Sequence, residues 1–377
     1  MWQKMLCLVL LAVPWMAVAD QNDAPVSPFI TVDQFGYLPV SSKVAVLRNP
    51  EEGFDAALSY TPGDELQLVD EASGEVVFSA AAEAWSDGAL DPQSGDRVWW
   101  FDFSAVELPG RYYVADPAND VRSAGFAIDD NVYRSALRAA FRAFYYQRAG
   151  FAKKAPFAEA GWEDAASHIG PGQDTEARLY SARDDARTER DLSGGWYDAG
   201  DYNRYTPWHA NYLVTLSHAY LENSAAWTDD FGIPESGNGI PDLIDELMWG
   251  LEWLKKMQDG AEDGGVLSIL GADDGTPPSA ATGPSYYGPA TTHASLRSAA
   301  AFAASAIAIE SLPGDALDAY ARDLVERAER AWAWAKDNPE VVFYNRQGEA
   351  RDIAYGEQET DDAGRAEGWR MAAVYLL

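Results

Sequence analysis

The sequence predicts a multidomain chain, an all-β sandwich of immunoglobulin-like type followed by an all-α toroid of paired helices. Three observations carry this. Between residues 28 and 128, short runs of β-branched and aromatic residues alternate with Gly, Pro and Asp turns. After Asp129-Asp130-Asn131 the apolar period lengthens from strand-like to helical. With 377 residues, 47 % of them hydrophobic, the chain is too apolar for disorder and long enough for two cores.

Residues 1–19 read as a secretory signal: Lys4 gives the positive start, 5–13 an apolar run, and Ala17-Val18-Ala19 a small-x-small cleavage site. The run is too short to span a bilayer, and no later segment reaches about 18 apolar residues. The single cysteine, Cys7, lies inside this segment, so the secreted or periplasmic chain is expected to have no disulfides. Core size or bound ions must stabilise it instead.

The sandwich strands are expected at 29–32, 43–47, 66–69, 75–79, 97–103, 111–114 and 124–128. Turn clusters such as Thr61-Pro62-Gly63-Asp64 and Leu108-Pro109-Gly110 separate them. In 97–103 the rings flanking Asp102 do not alternate cleanly, which leaves open the face that is buried. The domain from 129 to 377 opens with a helix at 132–148, striped by Leu137, Phe141, Phe144 and Tyr145. Helices follow at 207–222, 241–258, 292–310, 315–336 and 364–377. The third is the clearest: Pro241 starts it, Asp242 and Asp245 complement its dipole, and Gly260 stops it. Between helices, 161–195 and 271–289 read as long structureless loops of the kind that rim a functional site.

Lys and Arg number 28 against 60 Asp and Glu, a formal charge of −32. A surface this acidic repels phosphate backbones and anionic lipid, so nucleic acid and membranes are excluded as partners. Neutral ligands fit, and 14 Trp and 19 Tyr supply rings that can stack on sugars.

One segment concentrates the chemistry: Gly194-Gly195-Trp196-Tyr197-Asp198-Ala199-Gly200-Asp201-Tyr202. Two carboxylates three positions apart stand among glycines, which bring backbone close to a ligand, and among rings. One carboxylate can take a proton from water while the other holds that water. The same pair could instead cap the helix beginning near Pro207. Trp196, Tyr197, Trp208, Tyr286 and Tyr287 are candidate sugar platforms, and His209 is a candidate substrate contact. The four histidines lack metal-ligand spacing, and no cofactor is required.

Together with Gly237-Asn238-Gly239-Ile240-Pro241-Asp242 and Trp249-Gly250-Leu251-Glu252-Trp253-Leu254, this segment resembles the family 9 glycoside hydrolases. The N-terminal blocks Asp33-Gln34-Phe35-Gly36-Tyr37 and Pro109-Gly110-Arg111-Tyr112-Tyr113 resemble the immunoglobulin-like module that precedes the barrel in one branch. The resemblance implies an (α/α)6 barrel and inverting cleavage of β-1,4-glucosidic bonds in a β-glucan, by a monomer. It implies that Asp201 is the general base and that Asp198 helps hold the water. It also implies a general acid Glu beyond residue 377, so the expectation is a C-terminally truncated member, inactive alone. A structural calcium near the start of the last helix is a further implication, with Asp361 and Asp362 as its candidate ligands. Two rival readings are an exo-acting β-glucosidase or glucosaminidase of the same family, and a non-catalytic carbohydrate-binding or adhesion protein.

Overall fold

The computed structural model describes residues 24–351 and 353–377; the expected signal segment, with Lys4 and Cys7, lies outside them. The chain forms two compact units that divide between Leu137 and Arg138.

In the first unit all seven expected strands form. One antiparallel sheet has the order β1 (Ile30–Thr31), β2 (Val44–Pro50), β6 (Asp96–Asp102), β5 (Glu83–Ala84). The other has the order β4 (Val76–Ala80), β3 (Leu66–Asp70), β7 (Gly110–Asp116), β8 (Val121–Arg122), with β9 (Phe126–Ile128) also on β7. The sheets enclose a core of Ala45, Leu47 and Phe101 from one side and Leu66, Leu68, Tyr112 and Val114 from the other. Period-two alternation drives this: every second residue of a strand faces one side. β6 settles the ambiguous segment, because Trp99 and Phe101 point into the core while Trp100 is exposed. Tyr37, Phe103 and Phe126 fill the middle, Tyr37 meeting the other two edge-on at 5.2 Å between centroids.

The helical expectations are met within one or two residues: α1 (Arg134–Gln147), α2 (Thr206–Glu222), α3 (Asp242–Asp259), α4 (Thr292–Glu310), α5 (Asp315–Asp337) and α6 (Asp362–Leu376). α4 is central, packing against α2, α3, α5 and α6. Its sequence explains this, since small and apolar residues fall on most of its faces, as a helix packed on several sides requires. Its alanines, including Ala299, Ala300, Ala301 and Ala304, let neighbouring helices approach closely.

The two segments expected to be structureless are not. β10 (Arg178–Leu179), β11 (Arg204–Tyr205), β12 (Ile269–Gly271) and β13 (Tyr286–Tyr287) make a small sheet of order β10–β13–β12–β11. Strands of two or three residues are too short to show a period, which is why the sequence hid them. This sheet joins the long loops to the residues that follow the acidic segment.

α3 carries the tightest contact beneath that segment. A β-carbon at Gly250 would sit 2.2 Å from Trp196 Cη2, so the helix surface must be bare there for the indole to seat. Gly250→Ala is expected to lower stability by about 1–3 kcal/mol through overpacking, read as a drop in the urea midpoint. An unchanged midpoint would mean that Trp196 has room to move.

Candidate active site

The acidic segment is fastened at both ends. Its first half runs beside the end of α1, with Ala149 N–H donating to Gly195 O and Tyr197 N–H to Gln147 O, both at 2.9 Å. Gly195 has φ +70°, and a β-carbon there would lie 2.7 Å from Trp253 Cγ. Both facts demand glycine. Arg148, fully buried, meets Glu246 at 2.8 Å and Glu235 at 2.9 Å, and Trp196 Nε1 donates to Glu246 Oε1 at 2.7 Å. On the other side Arg204 pairs with buried Asp174 at 2.6 Å and donates to Gly194 O at 2.9 Å. The turn then closes on itself through Asp198 N–H to Asn203 O at 3.0 Å. Tyr202 pays for that closure with a left-handed backbone, φ +56°.

Between these anchors Asp198 and Asp201 remain half-buried. Each receives a phenol. Tyr212 Oη donates to Asp198 Oδ1 at 2.7 Å, and Tyr205 Oη to Asp201 Oδ2 at 3.2 Å. Burial raises the Asp198 carboxyl above the usual Asp range; the Tyr212 hydrogen bond opposes this and the neighbouring Asp201 charge adds to it. The capping alternative fails: α2 begins at Thr206 with Tyr205 at its N-cap and no side-chain cap bond. The backbone hydrogen bond that reaches the pair, from Asn203 N–H to Asp201 Oδ1, is a long 3.4 Å.

Asn203 also lines a cleft of about 850 Å³, with Asp273, Asp274, Tyr286 and Tyr355 among its walls. The Asn203 side chain holds the far wall by accepting Ala272 N–H at 2.9 Å. Tyr355 donates to Asp274 at 3.0 Å. Neither carboxylate lines this cleft itself; Asp201 is tied to its wall through Asn203, two residues on, and through Tyr205, whose hydroxyl accepts Gly356 N–H beside Tyr355.

Of the aromatic candidates, Tyr286 lies on the cleft, with the Arg183 guanidinium 4.6 Å from its ring centre. Trp208 is half-buried, its ring 4.3 Å from that of Tyr205. Four others are corrected. Trp196 is buried on Glu246 and on His209, Tyr197 is buried with its hydroxyl 2.6 Å from Ser167 and His168, and Tyr287 is buried with its hydroxyl on Thr188 O. His209 is enclosed between Trp196 and Trp253 and bonds Gly250 O at 3.1 Å; burial pushes it down to about 3, so it is neutral. Closeness to the carboxylates in sequence suggested that Trp196, Tyr197 and His209 face substrate, and the Gly/Pro-rich loop suggested the same of Tyr287; instead the first three pack beneath the turn and Tyr287 packs within the small sheet. Tyr205, Tyr212 and Asn203 were missed. The available signal was spacing, with Tyr205 four residues after Asp201 and Tyr212 one helical turn after Trp208.

The candidate calcium ligands do other work. Asp361 caps α6 by accepting Gly364 N–H at 2.9 Å, and Asp362 pairs with Arg365. Among the described residues no group of three or more His, Cys, Asp or Glu is arranged to hold a metal ion. Their carboxylates serve the end of α6, one as its cap and one as a partner of Arg365.

A model of the family described as glycosyl hydrolase family 9 matches residues 133–376, and one of the cellulase N-terminal ig-like domain matches 26–120. The chain is 31 % identical to a xyloglucan-specific endo-β-1,4-glucanase of Bacteroides ovatus, over 96 % of this chain and 60 % of the relative. It is equally 31 % identical to a cellulose 1,4-β-cellobiosidase of Acetivibrio thermocellus, over 83 % of this chain and 37 % of that one. A crystal structure of a metagenome-derived glycoside hydrolase family 9 endoglucanase superposes with a TM-score of 0.74 at 32 % identity, covering 92 % of this chain and 60 % of that one. The chain thus spans less than two thirds of the length of these relatives. A match that runs through most of the helical unit, behind a sandwich matched by its own model, makes this protein a member of glycosyl hydrolase family 9.

Proposed function

We propose that the protein serves the inverting hydrolysis of β-1,4-glucosidic bonds in a β-glucan, with Asp201 as the general base. The observation that carries this reading is the pair of half-buried carboxylates, each held by a tyrosine hydroxyl, on a turn whose Asn203 lines a polar cleft. A base of this kind must keep a lone pair free for water. Asp201 is held by a phenol and one long amide contact and forms no ion pair among the described residues, which leaves lone pairs open to water. Asp198 stands on the same side and orients the water. An inverting mechanism needs an acid carboxyl ~6.5–9.5 Å from the base, across the scissile bond. Two residues three apart on one turn cannot span that gap by facing the same way, so the acid is assigned to neither.

The helices packed around α4 are consistent with part of an (α/α)6 barrel. Secretion follows from the character of residues 1–19, and no helix among the described residues is long and apolar enough to cross a membrane. The named activities of the relatives include both an endoglucanase and a cellobiosidase. We favour endo action; the product profile on cellohexaose decides, since a single short product from the first minutes would indicate exo action.

In the full-length protein, Asp201→Ala is expected to lower turnover on a soluble β-1,4-glucan by about 10²–10⁴-fold, with azide restoring part of it. Unchanged hydrolysis would remove Asp201 from the role. Asp198→Asn separates stability from activity. The folded-state carboxyl is raised, so its charged form is what the fold disfavours. That penalty is absent below the unfolded pKa, about 3.9, and grows as pH rises through the folded value. The variant is therefore expected to melt no lower than the parent at pH 7 while losing turnover. The difference in Tm should close as the pH is taken down through 4. A variant that melts lower at pH 7 and higher at pH 4 would reverse this sign.

A further inference from the structure

The Tyr205 hydroxyl touches more than Asp201. It accepts Gly356 N–H at 2.6 Å while donating to Asp201 Oδ2 at 3.2 Å. A phenol has one proton to give. With Gly356 N–H on its acceptor side, that proton is aimed at the carboxylate. Gly356 is itself held, because Asn345, fully buried, donates its side-chain amide to Gly356 O. The Tyr205 ring is gripped by the same stretch: Phe343, Ala350, Ile353 and Ala354 form a cluster with Tyr205 and Ile269. No side chain is tolerated at Gly356, where a β-carbon would lie 2.9 Å from both Tyr205 Oη and Trp208 Cη2. The backbone of Tyr205 is fixed independently by β11 pairing with β12.

We propose that Tyr205 is a positioning residue for the base, and that the segment 343–356 sets the direction of its O–H through Gly356 and so the orientation of Asp201. This rests on the reading of Asp201 given above. The segment thus governs the base from more than a hundred residues away in sequence, without touching it. Ligand contacts that draw 343–356 toward or away from the cleft it lines would be transmitted to Asp201 by one hydrogen bond.

The test uses kcat and KM of the full-length protein on a soluble β-1,4-glucan. Tyr205→Phe keeps the ring and its packing and deletes the hydroxyl. Gly356→Ala keeps the hydroxyl and displaces it. Each is expected to lower kcat by about tenfold to a hundredfold, the range for a hydrogen bond to a charged group, with KM little changed. Because both act through one hydroxyl, the double variant should be no slower than the slower single one. Losses that multiply, or a kcat that neither substitution moves in an active parent, would overturn the relay and leave Asp201 as the base. A parent with no hydrolysis on any β-1,4-glucan would remove the functional reading itself, and the relay with it. Should Gly356→Ala not fold, the kcat-against-KM split of Tyr205→Phe decides alone.

Discussion

The buried Arg148–Glu246 pair is the interaction on which the geometry of the site depends. Both side chains are fully excluded from solvent, and they meet at 2.8 Å. Taking two charges out of water is costly, and an incomplete set of partners would make the arrangement untenable. The set is complete. Glu246 receives Arg148 Nε and Nη2 and also the indole N–H of Trp196, while Glu235 takes the outer guanidinium nitrogens. The guanidinium also lies 4.7 Å from the centre of the Trp249 ring. One ion pair thus ties the end of α1, the start of α3 and the acidic segment together. Such a pair adds little net stability over an apolar substitute, yet it fixes one geometry and heavily penalises others.

A division of labour among donors follows. The arginines nearest the acidic segment, Arg148 and Arg204, are matched to Glu246, Glu235 and Asp174, carboxylates that hold structure. Asp198 and Asp201 receive phenols instead. A guanidinium would orient a carboxylate firmly but also stabilise its charge and weaken it as a base. A neutral hydroxyl orients with less of that effect. His209, close in sequence, is kept uncharged by burial between two indoles and so adds no positive charge near the pair.

The legibility of these features in the sequence varied with the length of the pattern that encodes them. α4 is found with its predicted boundaries because a long alanine-rich run of strong helix formers follows Thr291, which caps the helix by accepting Ala294 N–H. α3 was equally clear from Pro241 and its first-turn acids. The sandwich strands were legible from turns and alternation, though Trp99 and Trp100 needed the fold to decide which faces inward. The small sheet was illegible because its strands are too short for a period and their partners lie far apart in sequence, as with Arg204 and Leu270. The carboxylates were visible through their glycines. The tyrosines that hold them were less so: spacing brings Tyr205 and Tyr212 near the pair, but a phenol aimed at a carboxylate reads in sequence like one packed in a core.

The misread aromatics show why the segment 194–202 is built as it is. Trp196 and Tyr197 go down into the core, and Asp198 and Asp201 remain half-buried at its edge. A catalytic group must be held within about 0.5 Å of its working position, which loops alone do not achieve. Here the loop borrows the precision of the interior, since its own rings are core residues, Gly195 lets the backbone pass against Trp253, and Gly250 of α3 makes room for Trp196. Rings that stacked on sugar would have left the turn without that foundation. Rings free of that task lie on other elements, such as Tyr286, which lines the cleft from the small sheet.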